Sequence, residues 1–137
     1  MSSLSRHWIG IGALLGAIGV TLGAFGAHVL PDYLSELGYT GDDLARRLDI
    51  FHTAILYQLL HALALVVTGL ALQQRATAAW RFAAWAFLFG VILFSGSLKA
   101  LTFVGPSWNR LGMVAPIGGI VMIVGWVALA IGALRNE

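Results

Sequence analysis

The sequence predicts an all-α integral membrane protein with four transmembrane helices in an up-down-up-down bundle. The chain of 137 residues is 59% hydrophobic and 10% charged, with a mean hydropathy of +0.87. It contains four apolar segments, each long enough to cross a hydrocarbon core as a helix. These segments are continuously apolar rather than alternating, which excludes a membrane β-barrel.

The four helices are placed near residues 8–30, 50–73, 81–103 and 112–134 of a single membrane domain, 1–137. The first helix ends before Pro31, because proline disfavours helical geometry in the residue that precedes it. The following PDYLSEL predicts a short interfacial helix, stopped by Gly38, within an extramembrane loop at 31–49. The second long helix begins outside the bilayer, where Thr40 and Asp43 have the spacing of an acidic capping box.

The connections QQRATAAW and VGPSWNRLG are short, so the helices on either side of each are expected to be antiparallel neighbours. Both termini then lie on one side of the membrane. Basic residues are divided almost evenly between the two sides, and we expect the termini in the cytoplasm. Trp8, Trp80 and Trp108 fall at the expected membrane interfaces and are interpreted as anchors there.

The composition argues against several classes of function. The chain has no cysteine, which removes disulfides, thiolate metal sites, iron–sulfur clusters and thiol nucleophiles. It has no basic run of the kind that binds nucleic acid. Its acidic residues gather in the first loop, so no Ser-His-Asp triad is evident. We therefore expect no enzyme, metal or cofactor, with a metal or haem site at His28 and His52 as the alternative weighed.

Glycines form a seam along the first helix, at alternating spacings of four and three residues. The fourth helix has a sparser seam, with glycines seven residues apart. Small residues let membrane helices approach closely, which drives their association in lipid. We expect the two seams to face one another or a second subunit, although they could also leave room for a lipid or cofactor tail. The seam residues are Gly12, Gly16, Gly19, Gly23, Gly26, Gly118, Gly125 and Gly132.

Polar side chains at membrane depth turn inward by default and mark either a packing network or a functional cavity. Thr53, Tyr57 and His61 recur at helical spacing, with His61 near the midplane. They are interpreted as interhelical hydrogen-bond partners or as part of a ligand site. Lys99 either extends toward the interface or faces the cavity, pairing with Asp49 or an anionic headgroup. The candidate pocket comprises His28, Thr53, Tyr57, Gln58, His61, Ser95, Ser97 and Lys99.

Four motifs in order carry a resemblance to a known family. They are LGAFGAHVL at 22–30, FHTAILYQLLHALAL at 51–65, LFSGSL at 93–98 and PIGGIVMIVGW at 116–126. With these motifs the chain resembles the YgdD-like small inner-membrane proteins, known as domain of unknown function 423 and related to eukaryotic transmembrane protein 256. The resemblance implies a four-helix bundle in a bacterial inner membrane and carries no established activity.

The sequence departs from the family pattern at two positions. Lys99 stands where a tyrosine or apolar residue is usual, and Ala115 stands where a threonine is usual. A function that requires that tyrosine or threonine is therefore not carried over to this chain. The departures also fit a specialised member recruited to a larger membrane complex. The motif positions present are Gly23, Gly26, His28, Tyr57, Gln58, His61, Ser95, Gly96, Ser97, Pro116, Gly118, Gly119 and Trp126.

The leading functional hypothesis is a non-enzymatic membrane protein, either a homo-oligomer or an accessory subunit. Its polar pocket between the first three long helices would bind a lipid headgroup or a small solute. The alternative is a small transporter or ion-conducting channel with His61 and Tyr57 on the pathway, and a lipid-modifying enzyme ranks third. The stretches 66–72 and 87–92 are nearly all apolar, which favours a one-sided pocket over a channel through the membrane.

Overall fold

The computed structural model describes the backbone of residues 3–104 and 111–134, and no strand occurs in these residues. Four of its helices are long and apolar enough to span a membrane. The predicted fold class, an all-α membrane protein with four spans, is therefore confirmed. The helices are α1 (Ser3–His28), α2 (Leu30–Glu36), α3 (Gly41–Gln74), α4 (Ala78–Phe103) and α5 (Val114–Leu134).

The four long helices are arranged in a row. The extensive helix contacts join α1 to α3, α3 to α4, and α4 to α5, so that α3 and α4 form the centre. Consecutive helices run in opposite directions. Along α1, for example, Gly12 lies against Ala62 of α3, whereas Gly26 lies against Phe51. The alternating topology agrees with the prediction, but α1 and α5 are the outer members of the row.

The glycine seams face the central helices instead of one another. A Cβ atom at Gly12 would lie 2.7 Å from the backbone oxygen of Ala62, and one at Gly118 would collide with the backbone of Phe94 on α4. All five seam glycines of α1 face α3, and all three of α5 face α4. The expectation that the two seams meet each other is wrong, because each outer helix has a central helix as its principal neighbour.

The first loop contains α2, which is anchored by two leucines. Leu30 and Leu34 are fully buried and cluster with Phe51 and Ile55 of α3. After α2 the backbone turns at Gly38, whose φ of +90° lies in the left-handed region that glycine adopts without steric cost. This short helix is therefore packed on the outer end of α3.

The N-terminus of α3 differs in one detail from the prediction. Thr40 occupies the N-cap position with an extended backbone, but its side chain makes no capping hydrogen bond. Asp43, the expected partner in a capping box, instead accepts hydrogen bonds from Arg46 and Arg47. The capping-box prediction is wrong because these two arginines engage the carboxylate.

Two of the three expected interface tryptophans are buried between helices. Trp8 of α1 packs edge-on against Trp85 of α4, with 4.8 Å between ring centroids. Trp80 lies in the space left by Gly132 and donates its indole N–H to the Leu129 carbonyl at 3.1 Å. Their interpretation as anchors at the membrane interfaces is wrong, since both rings are buried in helix–helix contacts. Trp108 lies outside the described residues.

Candidate functional site

The predicted pocket residues divide into two groups at different helix junctions. Gln58 and Lys99 meet where α1, α3 and α4 come together. Tyr57 and His61 lie instead where α3 and α4 meet Trp126 of α5. Because Tyr57 and Gln58 are adjacent on α3, they point in directions about 100° apart around the helix.

The first group is a chain of hydrogen bonds that joins three helices. The ammonium of Lys99 donates to Oε1 of Gln58 at 2.6 Å. Nε2 of Gln58 donates in turn to the backbone oxygen of Leu15 on α1 at 2.9 Å. We call Gln58, Lys99 and the Leu15 carbonyl the lysine cluster. Gln58 is buried and Lys99 is half-buried, so this cluster lies at the edge of the protein interior.

The glycine seam helps to create this cluster. A Cβ atom at Gly19 would lie 2.7 Å from Leu59 and 3.4 Å from Nε2 of Gln58. The missing side chain therefore lets α1 approach α3 closely enough for Gln58 to reach the carbonyl of Leu15, one turn earlier on α1. Close packing and the polar contact depend on the same seam.

Lys99 extends toward the middle of the bundle instead of toward the nearby end of α4. Lys99 lies four residues before the last residue of α4, whereas its partner Gln58 lies at the middle of α3. Side chains on a helix point toward its N-terminus, which for α4 is the inward direction. The alternative in which Lys99 extends to the interface is wrong, and its partner is Gln58 instead of Asp49.

Lys99 has no acidic partner in the part of the chain that the structure describes. The ion pairs there join Asp43 to Arg46 and to Arg47, in the first turns of α3. An ammonium has three N–H donors, and Gln58 accepts from one of them. A half-buried cation with unused donors therefore remains at the α1–α3–α4 junction.

The second group is centred on His61, and both of its ring nitrogens are engaged. Nδ1 lies 2.8 Å from the backbone oxygen of Tyr57, and Nε2 accepts the indole N–H of Trp126 at 3.2 Å. A carbonyl can only accept, so Nδ1 carries the proton and the ring is neutral. Tyr57 and Phe87 pack around the ring. The His61 ring therefore joins α3 to α5 and has both of its nitrogens engaged within the protein.

The two serines of α4 have different surroundings. Ser97 donates its hydroxyl to the backbone oxygen of Phe94 at 3.0 Å, as membrane-helix serines commonly do within their own helix. Ser95 is fully buried, and its Oγ has no hydrogen-bond partner. Ser95 precedes Lys99 by four residues, so both lie on the same face of α4. A buried hydroxyl without a hydrogen-bond partner is costly.

The remaining predicted pocket residues are His28 and Thr53. His28 is the last residue of α1 and is exposed. It follows Gly26 by two residues, which turns it about 200° around the helix, away from the seam that faces α3. Thr53 is half-buried on α3, one turn before Tyr57. His28 therefore does not join the lysine cluster.

The sequence analysis missed Arg47, which connects the first loop to the end of α4. Its side chain is buried, and Nη1 donates to the carbonyls of Leu101, Thr102 and Val104 at 2.8 to 3.3 Å. Its guanidinium also stacks 3.7 Å from the centre of the Tyr39 ring. These carbonyls belong to the C-terminus of α4, where a helix leaves acceptors unpaired. Arg47 thus serves as a cap supplied by another helix.

Comparison with protein-family models matches residues 22–119 to the family described as "Protein of unknown function (DUF423)". The chain belongs to this family. It is 38% identical to a UPF0382 membrane protein of Staphylococcus epidermidis, covering 95% of this chain and 97% of that one. It is 36% identical to the UPF0382 inner membrane protein YgdD of Escherichia coli, covering 96% and 92%.

A third relative is the UPF0382 membrane protein YwdK of Bacillus subtilis, at 34% identity over 95% of this chain and 98% of that one. No solved structure matches the chain. The names of these relatives and the four apolar helices agree that this is an integral membrane protein. None of the three names includes an enzymatic activity.

Proposed function

We propose that this protein is a non-enzymatic membrane protein that binds a lipid headgroup or small solute at the lysine cluster. The observation that carries the proposal is the half-buried ammonium of Lys99, which hydrogen-bonds to Gln58 and has no carboxylate partner among the described residues. An ionisable group inside a membrane is costly, and such groups mark binding sites or ion pathways by default. A ligand that accepts hydrogen bonds would lower this cost.

The exposed neighbours of Lys99 on α4 are apolar. Lys99 is half-buried, and Ile92 and Phe103, which lie on the same face of α4, are 54% and 40% exposed. Both neighbours are apolar, so the approach to Lys99 suits a molecule that carries its own apolar portion. These apolar neighbours support a one-sided site at the α1–α3–α4 junction, entered from the membrane.

The transporter or channel alternative has weaker support. It requires His61 and Tyr57 to line a pathway, whereas both ring nitrogens of His61 are engaged within the protein. The residues toward the terminal side of the bundle, such as Val67 and Leu70, are apolar. A conducting path would have to cross this region past few polar side chains, and the Thr68 hydroxyl there is buried and donates to the backbone oxygen of Ala64.

The first functional prediction concerns what the protein retains on purification. We expect a lipid or small molecule to remain bound after gentle extraction from the native membrane and to be lost from Lys99→Ala. His61→Ala is the matched control, because it changes the other polar group and leaves the lysine cluster intact. Native mass spectrometry of the three proteins measures retention directly. An empty wild-type protein, or equal retention by Lys99→Ala, would contradict the proposal.

Oligomeric state and orientation also belong to this proposal. We expect a homo-oligomer or a subunit of a larger membrane complex, and the same native mass spectrum reports the mass of the assembly. Both glycine seams are used within the chain, so an oligomer contact would have to form on other surfaces of the bundle. We place the protein in the bacterial inner membrane, by similarity to YgdD, and the termini in the cytoplasm, as expected from the sequence.

A further inference from the structure

We infer that Lys99 and Ser95 together bind an oxyanion, the carboxylate or phosphate group of a membrane amphiphile. This inference rests on the proposed function and specifies the chemical class of its ligand. Its basis is a coincidence of two unsatisfied groups on one face of α4. The ammonium of Lys99 has N–H donors beyond the one given to Gln58, and the buried hydroxyl of Ser95 has no partner.

The two groups are close by the geometry of the helix. Residues four apart on a helix lie about 5–6 Å from each other between Cβ atoms. The Lys99 side chain extends toward Gln58, the direction in which Ser95 lies. One oxyanion can therefore accept from both, because its oxygen atoms offer several lone-pair positions.

The donors favour an anion over a neutral acceptor. A hydrogen bond between an ammonium and a charged oxygen is roughly twice as strong as one between neutral groups. The Lys99 ammonium gives the site a positive charge. Among the described residues the ion pairs involve a single carboxylate, that of Asp43 in the first turns of α3, and it does not pair with Lys99. Oε1 of Gln58 accepts from Lys99 and thereby holds the ammonium in place.

The surroundings favour an amphiphile over a free inorganic ion. Ile92 and Phe103 lie within two turns of Lys99 on the same face of α4, and both are exposed. An inorganic anion would lose its hydration beside these apolar side chains, which is costly. An acyl chain attached to the anion would cover them instead. The ligand class is therefore an anionic lipid or fatty acid.

The test compares lipid preference in bilayers. The protein is reconstituted in phosphatidylcholine, and the association of spin-labelled stearate and phosphatidylglycerol is measured by electron paramagnetic resonance relative to labelled phosphatidylcholine. We expect wild type to prefer at least one anionic probe. Lys99→Met, which keeps an unbranched side chain, should abolish the preference. Ser95→Ala should weaken it by roughly tenfold or more, the value of one hydrogen bond to a charged group.

Ser97→Ala is the matched control, because the Ser97 hydroxyl is already bound to the Phe94 carbonyl. This variant should retain the wild-type preference. The inference is overturned if wild type shows no anionic preference, if Ser95→Ala and Ser97→Ala behave alike, or if excess inorganic phosphate displaces the labelled probes. A neutral molecule retained through Lys99 in native mass spectrometry would overturn the oxyanion and leave the proposed function standing.

Discussion

Replacing Arg47 with alanine is expected to lower the free energy of unfolding by about 3 kcal/mol. Arg47 is 5% exposed and its guanidinium donates to three carbonyls at the end of α4, so its removal leaves buried and half-buried acceptors without partners. It also removes the contact with the Tyr39 ring. Titration of the purified protein with sodium dodecyl sulfate in mixed micelles, followed by circular dichroism, measures the change.

Arg46→Ala is the control for this prediction. Arg46 is the adjacent residue with the same charge, but its side chain is 72% exposed and its contact is the ion pair with Asp43. Exposed ion pairs contribute about 0–1 kcal/mol, so the control should remain close to wild type. Arg47→Lys should fall between the two variants, because lysine keeps the charge and loses the planar arrangement of donors. Equal stability of Arg47→Ala and Arg46→Ala would contradict this account.

The second large effect is expected for Gly118→Ala. A Cβ atom at this position would collide with the backbone of Phe94 and would lie 2.9 Å from the backbone oxygen of Gly90. Backbone atoms cannot turn aside as a flexible side chain can, so α4 and α5 must move apart. We expect the free energy of unfolding to fall by about 3 kcal/mol, at the upper end for an overpacked core.

Gly119→Ala provides the control on the neighbouring residue. A Cβ atom there would approach the Phe94 ring at 3.8 Å, an ordinary van der Waals contact. Alanine also favours the helix over glycine by up to about 1 kcal/mol, so this variant should be neutral or slightly more stable. The same titration in mixed micelles compares the two variants. If both lose stability equally, the close approach of α4 and α5 at Gly118 is not present.

The long helices could be predicted from the sequence because lipid imposes simple rules. Continuous apolar segments must form helices to pair their backbone groups, and the short second connection makes its flanking helices antiparallel. The partners of the glycine seams could not be predicted. A seam shows that a helix packs closely against something, but any adjacent helix can supply the opposing surface. Because the helices are arranged in the row α1–α3–α4–α5, the α1 seam faces α3 and the α5 seam faces α4.

The candidate site could be predicted only in part. Gln58, Lys99 and Ser95 are predicted as pocket residues because they are polar at membrane depth. Their separation from His61 could not be predicted, because it depends on how α3 and α4 are rotated relative to their neighbours, and residue spacing does not fix that rotation. Arg47 was missed, although a signal was present. It precedes the buried Phe51 by four residues and therefore lies on the same face of α3. An arginine on that face indicates an inward-pointing cation.

The most direct test of the central claim uses the single lysine of this sequence. Protein labelled with ¹⁵Nζ-lysine and ¹³Cδ-glutamine is reconstituted in bilayers, and dipolar recoupling by solid-state nuclear magnetic resonance measures the distance between the two labels. The account predicts a short distance, about 4 Å or less, as the hydrogen bond between Lys99 and Gln58 requires. A lysine signal in contact with water and without coupling to glutamine would contradict it, since Lys99 would then extend to the interface.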